Sequence, residues 1–560
     1  MINALTVSLV ESGARERAFH LLDEGSGQEI LGPYDRFESP HLEAQNIVPQ
    51  YDDGMIIVKG TIEGRTALVI SIEGSFQGGG IGEVSGAKFA GALEKAVEEC
   101  REGNLVYPVI IYDTGGVRLQ EANYGLLSIA EISSAIVALR QYVPVVGVIP
   151  GKIGSFGGMS LTAGLCSALI MTREGRLGMN GPEVVEQEAG IRELNAKNKQ
   201  LIWKMIGGAN RKNAGLADSV VEDDVSNYRT AILDIWNGET GQVPQRTLQY
   251  EEFLALFKSL NLQERIEAVD AVELLSNRSS VNGKMELPDE PKESRGRTWF
   301  EKLANGAHSI SEVPSVLVAD GEVEGISARF IAVVPNRANS YYRAQNGEVG
   351  LLEGWTIAKY VHQAIEEDSK SGTKRLIVPI VDVPSQAFGY HEELFGIYLS
   401  CSAAVDAYAT ARLNGHPIVT AIVGKAISGA FLSHGMQGNR LIALDDEEIQ
   451  VHVMSKKSAA LVTMRTIEEL DATAANVPSM AYDIHSFQKL GALFSLLKGV
   501  HGQVPTDSCV GKVTREIKRA YEDILESKDR SLRVRLESDT AKQYGRVASI
   551  KVREKIDEQW

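Results

Sequence analysis

The residues best placed to do chemistry in this chain offer backbone rather than side chains. At 145–165, "VVGVIPGKIGSFGGMSLTAGL", a run of buried-strand character hands over to a helical pattern, and Gly151, Gly154, Gly157 and Gly158 fill the handover. A helix start leaves N–H groups without internal partners, at the positive end of the helix dipole. Glycine removes the side chains that would keep a ligand from them. Gly157 and Gly158 are therefore expected to be exposed amide donors for a negative oxygen, either a phosphate or an oxyanion that develops during reaction. Tight strand–helix packing accounts for a single Gly-Gly pair about as well. A second cluster, "DTGGVRLQEANYG" (113–125), also follows a strand and precedes a helix, so Gly115 and Gly116 are candidates for the other donor of an oxyanion pair. A third, "FQGGGIGEVSG" (76–86), has the look of a dinucleotide loop. Its last spacing is wrong for GxGxxG, and no acidic residue sits clearly at the expected strand end.

The elements that must position these glycines come in two similar series. In the first, strands at 66–74, 105–113 and 143–150 alternate with helical patterns at 82–100 and 125–142, ahead of the glycine handover. In the second, strands at 328–335, 375–384 and 416–424 alternate with helices at 350–367 and 396–413, and "KAISGAFLSHG" (425–435) follows. The strands are short and β-branched, and the helices repeat apolar residues every three or four positions. Gly157 follows the strand-ending Asp113 by 44 residues, and Gly429 follows Asp382 by 47. Lys152 and Lys425 recur with them, and Gly429 and Ala430 take the place of the Gly-Gly pair. Two copies of one α/β domain are implied, and the recurrence weakens the packing-only reading. The polar, aperiodic stretch 280–297 reads as the linker between them.

At 560 residues, two or more domains are expected, and 44% hydrophobic content supplies a large core. A net charge of −17 and a pI near 5.2 argue against nucleic acid as a general partner. Cys100, Cys166, Cys401 and Cys509 are scattered, without CxxC or a Cys/His cluster, so neither a zinc site nor a disulfide framework is indicated and a reducing cytoplasm is the simplest setting. The N-terminal "MINALTVSLVESGARER" lacks the apolar run of a signal peptide, and runs such as "LVYPVIIY" are too short to span a bilayer.

"FQGGGIGEVSGAKF", "DTGGVRLQEANYG" and "GSFGGMSLTAG", with "MNGPEVV" (179–185) and "GLADSVVEDD" (215–224), resemble the carboxyltransferase branch of the crotonase superfamily. "ESGARERAFHLLDEGSGQEILGPY" (11–34), "SPHL" (39–42) and "YDDGMIIVKGTIEG" (51–64) are similar to the β subunit of biotin-independent malonate decarboxylases. "RGRTWFEKLANG" (295–306), "GHPIVTAIVGKAISGAFLSHGMQGNRLIAL" (415–444), "VHVMS", "RTIEEL" and "MAYDI" are similar to the γ subunit. The resemblance implies two tandem crotonase-like ββα-superhelix domains: a β-like decarboxylase domain over 1–279, the linker 280–297 and a γ-like domain over 298–510. The stretch "SKKSAALVTMRT" (455–466) is less basic than the γ pattern. Residues 511–560 run beyond it and read as a charged segment with a solvated face.

The implied activity is decarboxylation of a malonyl thioester to the acetyl thioester and CO₂. The substrate would ride on the phosphopantetheine-like, dephospho-CoA-derived arm of a separate acyl carrier subunit, with nothing bound covalently to this chain. A malonyl/acetyl transferase subunit would load the carrier; a homo-oligomer is compatible with this, and neither nucleic acid nor membrane is implied. Loss of CO₂ leaves an enolate whose charge gathers on the thioester oxygen, and one backbone donor aimed there is worth ~10²–10³ in kcat. Gly157, Gly158, Gly115 and Gly116 are assigned to that oxygen, with Gly429 and Ala430 facing the same cleft. Tyr124, His434 and His452 are candidate proton donors, although each taken singly reads more readily as a structural hydrogen-bonding residue, and water could also supply the proton. Arg192, Lys197, Lys199, Lys204, Arg211 and Lys212 form a locally basic stretch that could dock an acidic carrier or the phosphates of its arm; a solvated helix face explains each singly. Three other readings stand beside this one. They are a biotin-dependent carboxyltransferase or decarboxylase component, a non-catalytic scaffold for the carrier and transferase, and a nicotinamide oxidoreductase built on Gly80–Gly86.

Overall fold

The computed structural model describes residues 6–238, 245–281, 285–462 and 464–560. Residues 282–284 of the expected linker and residue 463 of the 455–466 stretch lie outside these.

Each half builds one sheet, and the sheets share a path of six strands; Gln28–Ile30 extends the edge of the first, and Val451–His452 pairs with Val419–Ile427 in the second. In the first, an antiparallel hairpin of Met55–Ile62 and Arg65–Ile72 leads into parallel strands Tyr107–Ile111, Val146–Ile149, Ala168–Met171 and Ser219–Val220. In the second, the hairpin Val316–Val323 and Ile326–Val333 leads into parallel Leu376–Val383, Val419–Ile427, Arg440–Leu444 and Ser495–Leu497. The central parallel strands are largely apolar because layers cover both of their faces. Helices Glu83–Arg101 and Ala122–Leu139 cover the first sheet; Leu351–Ser371 and Ile397–Leu413 cover the second. The sequence places three strands of each sheet within a few residues and misses the leading strand of each hairpin and the later parallel strands Ala168–Met171, Ser219–Val220, Arg440–Leu444 and Ser495–Leu497.

Ala122–Leu139 is apolar all round because it has no wet side. Among the described residues, Leu119–Leu139 is the one stretch long and apolar enough to cross a membrane, and it is buried apart from partly exposed Leu119, Gln120 and Ala138. It lies where the halves meet, inside one continuous apolar core to which both contribute. Buried hydrogen bonds cross this junction. Asn123 Nδ2 donates to the Val451 carbonyl at 3.1 Å, Gln437 Nε2 to that of Ala130 at 2.9 Å, and Ser402 Oγ to that of Leu161 at 2.9 Å. A Cβ on Gly164 would lie 2.2 Å from Ser402 Oγ, so only glycine lets these helices approach so closely.

Two expectations need correction. The linker is shorter than 280–297, because Ser294 caps a helix that runs Arg295–Leu303. The C-terminal segment is not a solvated face either. Helix Asp507–Glu526 buries Val513, Ile517 and Ala520, and helix Val547–Gln559 returns to pack on Glu83–Arg101 of the first half. Three arginines of this segment, Arg535, Arg546 and Arg553, are buried inside the protein. Glu131, 1% exposed, receives Arg546 Nη2 at 2.9 Å and Arg553 Nη2 at 2.8 Å, while Glu94 holds the other edge of Arg553. Burial would raise the Glu131 carboxyl, but the two guanidinium groups hold it below its ordinary range.

Removing the shared carboxylate strands Arg546 away from water without its counter-ion, a change that costs about 3–5 kcal/mol. Glu131→Ala is expected to lower the urea unfolding midpoint clearly and to release the C-terminal helix, seen as rapid proteolysis near residue 546. A midpoint equal to that of the parent protein would show that the pair contributes nothing.

Candidate active site

A cavity of about 650 Å³ opens between the halves, and both glycine handovers reach it. Gly115, Gly157 and Gly158 line it from the first half, with Gly429, Gln386 and Leu432 from the second.

The first handover is fixed from below. Asp113, at the end of the neighbouring strand, accepts the Ile153 N–H at 2.8 Å and pairs with buried Arg17 at 3.0 Å. The chain then turns through positive φ at Lys152 (56°), Gly154 (99°) and Gly157 (56°). Side chains are barred at two of these points: a Cβ on Gly154 would lie 2.4 Å from the Arg176 carbonyl oxygen, and one on Gly157 3.1 Å from Gly116 Cα. The helix Gly157–Leu165 begins immediately after this turn.

The amides are not equally available. The Gly157 N–H donates to the Met179 carbonyl at 2.8 Å and that of Gly115 to the Gly78 carbonyl at 2.8 Å, while Gly116 donates to Thr114 Oγ1 at 3.0 Å. The Gly158 amide has no partner among the described residues, and Gly158 lines the cavity. Hydrogen bonding thus divides the pair: Gly157, partly exposed, makes the turn with its amide taken, and Gly158, a buried residue on the cavity wall, carries the unpartnered donor at the helix start. In the second half, Gly429 donates to Gln386 Oε1 at 3.1 Å; Ala430 is fully buried and does not line the cavity. The second handover therefore presents no open donor pair.

None of the three proton-donor candidates lines the cavity. Tyr124 is buried against the His41 ring, and burial pushes its phenol still higher. His434 is fully enclosed, with Nε2 donating to the Ile380 carbonyl at 3.0 Å and Nδ1 accepting from Tyr408 at 3.0 Å; burial lowers it to about 4. His452 stacks on Tyr482 and is likewise lowered to about 4 by burial. In the basic stretch, Arg192, Lys197, Lys199, Lys204 and Lys212 are exposed but lie off the cavity wall. Arg211 is no docking residue. It is fully buried and spends its guanidinium on the carbonyls of Leu177, Leu394 and Glu393.

The sequence reading missed the charged groups that do line the cavity. Lys152, Arg176 and Arg343 supply cations; Glu183, Glu188 and Glu348 supply carboxyls, of which burial pushes Glu348 upward. Arg176 lies between the Phe156 and Trp203 rings and donates to the Lys152 and Ile153 carbonyls, bracing the glycine turn. Only Lys152 left a trace in the sequence, through its recurrence as Lys425. The wall can thus hold an anionic group near an unpartnered amide, in a cleft of mixed polar and apolar lining.

Comparison with known proteins fits this arrangement. The family described as carboxyl transferase domain matches residues 11–249, and malonate decarboxylase gamma subunit matches residues 344–560. A Malonomonas rubra protein, malonyl-S-ACP:biotin-protein carboxyltransferase MADC, is 36% identical over 288 residues, covering 49% of this chain and 87% of its own length. The chain belongs to the malonate decarboxylase family. Within that family, MADD of the same organism is 41% identical over 175 residues, 31% of this chain and 59% of its own length. A chain of a Pseudomonas malonate decarboxylase hetero-tetramer, solved in complex with malonate, is 48% identical, covering 48% of this chain and 97% of its own, with a TM-score of 0.47. The gamma-subunit match runs to residue 560, so the C-terminal segment belongs to the family pattern.

Burial keeps His434 neutral in the folded protein, whereas the unfolded chain takes up a proton below about pH 6.5. With the folded pKa below the unfolded one, its contribution to stability is present above pH 6.5 and is lost as the pH falls toward 4. Urea midpoints taken from pH 7.5 to pH 5 are expected to fall more steeply for the parent than for His434→Gln. Parallel slopes would contradict a neutral buried imidazole.

Proposed function

We propose that this chain decarboxylates a malonyl thioester carried on an acyl carrier subunit, giving the acetyl thioester and CO₂. The observation that supports it most is the unpaired Gly158 amide, at a helix start on the wall of a cavity that both halves enclose. In this reading the thioester oxygen accepts the Gly158 N–H. The bond between the methylene carbon and the carboxylate breaks, its electron pair passes into the enolate, and CO₂ leaves. A proton from a cavity-wall acid, with Glu348 the one that burial pushes up, or from water then completes the acetyl group. Lys152, Arg176 and Arg343 hold the anionic ends of the substrate.

The two family matches lie side by side on one chain, and this supports a fusion of β-like and γ-like halves, with the site between them made within one polypeptide. The partners in this reading are the acyl carrier subunit, with its phosphopantetheine-like arm, and the transferase subunit that loads it. Four free, buried cysteines fit a cytoplasmic setting. The likeness to the Malonomonas malonyl-S-ACP:biotin-protein carboxyltransferases keeps a biotin-dependent carboxyltransferase as the second reading.

CO₂ release from malonyl-carrier and malonyl-CoA tests the proposal. Activity that survives avidin separates it from the biotin-dependent reading. Gly158→Ala and Gly158→Pro separate the amide from the space around it: either side chain meets Ile129 Cδ1 and Leu432 Cδ1, 2.8 and 2.9 Å from an added Cβ, but only proline lacks the N–H. Proline is expected to cost at least about 10²-fold in kcat beyond alanine. Equal rates in the two folded variants would remove Gly158 from the mechanism.

A further inference from the structure

We propose that Glu393 is the positioning residue that sets the amides of both glycine handovers, through the Met179–Asn180 peptide to Gly157 and through Asn180 and Gln386 to Gly429. This deepens the reading above and rests on it. Glu393 belongs to the short helix Tyr390–Leu394 of the second half, yet its carboxylate serves a loop of the first. It accepts the Met179 N–H at 3.0 Å, the Asn180 N–H at 2.6 Å and Asn180 Nδ2–H at 2.8 Å. From there a continuous chain of hydrogen bonds runs to each handover. On one side, the Met179 carbonyl accepts the Gly157 N–H at 2.8 Å. On the other, Asn180 Oδ1 accepts from Gln386 Nε2 at 2.8 Å, and Gln386 Oε1 accepts the Gly429 N–H at 3.1 Å.

The arrangement is costly unless it serves something. Glu393 is 2% exposed, and among the described residues its carboxylate is held by the N–H groups of Met179 and Asn180 and not by a Lys or Arg side chain. Arg211 lies near but gives its hydrogen bonds to the Glu393 and Leu394 backbone carbonyls. Burial pushes the carboxyl up to about 7, and the Asn180 and Met179 donors with the nearby Arg211 charge act against it. A carboxylate held by three N–H groups fixes their directions more tightly than a neutral acceptor. Met179, Asn180 and Gln386 all line the cavity, so the chain runs along its wall. Docking of the second half therefore sets the peptide that turns Gly157 inward and leaves Gly158 open. A misplacement of about 1 Å in such a site can cost 10²-fold in rate.

The test compares the full-length parent with Glu393→Gln and Gln386→Ala, measuring kcat and KM for malonyl-thioester decarboxylation and hydrogen exchange of the peptides around Gly157 and Gly429. Glu393→Gln keeps the shape but turns an amide NH₂ toward N–H donors. It is expected to lower kcat at least about tenfold with KM changed less than about threefold, and to speed exchange at both handovers. Gln386→Ala leaves Glu393 in place and is expected to speed exchange around Gly429 alone, with a smaller loss of kcat. Exchange confined to residues 178–181, or a kcat within about twofold of the parent for Glu393→Gln, overturns the proposal. If Glu393→Gln does not fold, Gln386→Ala decides: unchanged exchange around Gly429 overturns it. Exchange needs no substrate, so a parent protein that releases no CO₂ sinks the functional reading while the network is still tested.

Discussion

Each strand-to-helix handover hangs on a carboxylate at the end of the neighbouring strand. Asp113 accepts the Ile153 N–H at 2.8 Å, and Asp382 accepts the Lys425 N–H at 3.1 Å and the Gly296 N–H at 3.0 Å. The turns above them cross positive φ at Lys152 and at Ser428, conformations that cost a non-glycine residue something like 1–2 kcal/mol. An anchored carboxylate offsets that cost and fixes where the helix begins. The first Asp is itself anchored by buried Arg17, so the N-terminal helix Ala14–Leu21 helps to hold the site it never touches. With the turn fixed, the remaining requirement is that the Gly158 amide on the cavity wall stay unpaired while those of Gly157, Gly115 and Gly116 are satisfied, and the halves close over it.

This constraint explains why the two handovers have diverged in use while sharing a fold. The first is followed by a nine-residue helix with an open amide on the cavity wall; the second by a six-residue helix whose leading glycine amide is taken by Gln386. A Cβ on Gly429 would sit 2.0 Å from the Met179 methyl, so the second glycine makes room for a first-half side chain. One copy keeps the donor, and the other closes the wall and aligns it.

Much of this was legible in the sequence. The repeat, its strand ends at Asp113 and Asp382 and the glycine handovers all depend on contacts a few tens of residues apart, and local pattern records those. Which amide stays open is another matter. The acceptors that occupy Gly157 and Gly115 are carbonyls of Met179 and Gly78, and those have no sequence signature. The histidines near the motifs misled because proximity in sequence says nothing of burial: His434 faces Tyr408 and Ile380, away from the cavity. The C-terminal segment misled for a related reason. Its Arg and Glu residues have the composition of a wet surface, yet Arg546 and Arg553 find Glu131 more than 400 residues earlier, an ion pair that no local pattern announces. Arg176 and Glu393 escaped notice because their roles exist only once the loops and halves are assembled.

The most direct measurement is a crystal structure of the full-length protein with a non-cleavable malonyl-thioester analogue whose carbonyl oxygen is retained. The account predicts that oxygen about 3 Å from the Gly158 nitrogen, with the carboxylate held among Lys152, Arg176 and Arg343. A well-ordered analogue whose carbonyl oxygen lies against side chains elsewhere in the cavity, leaving the Gly158 amide to solvent, would contradict it.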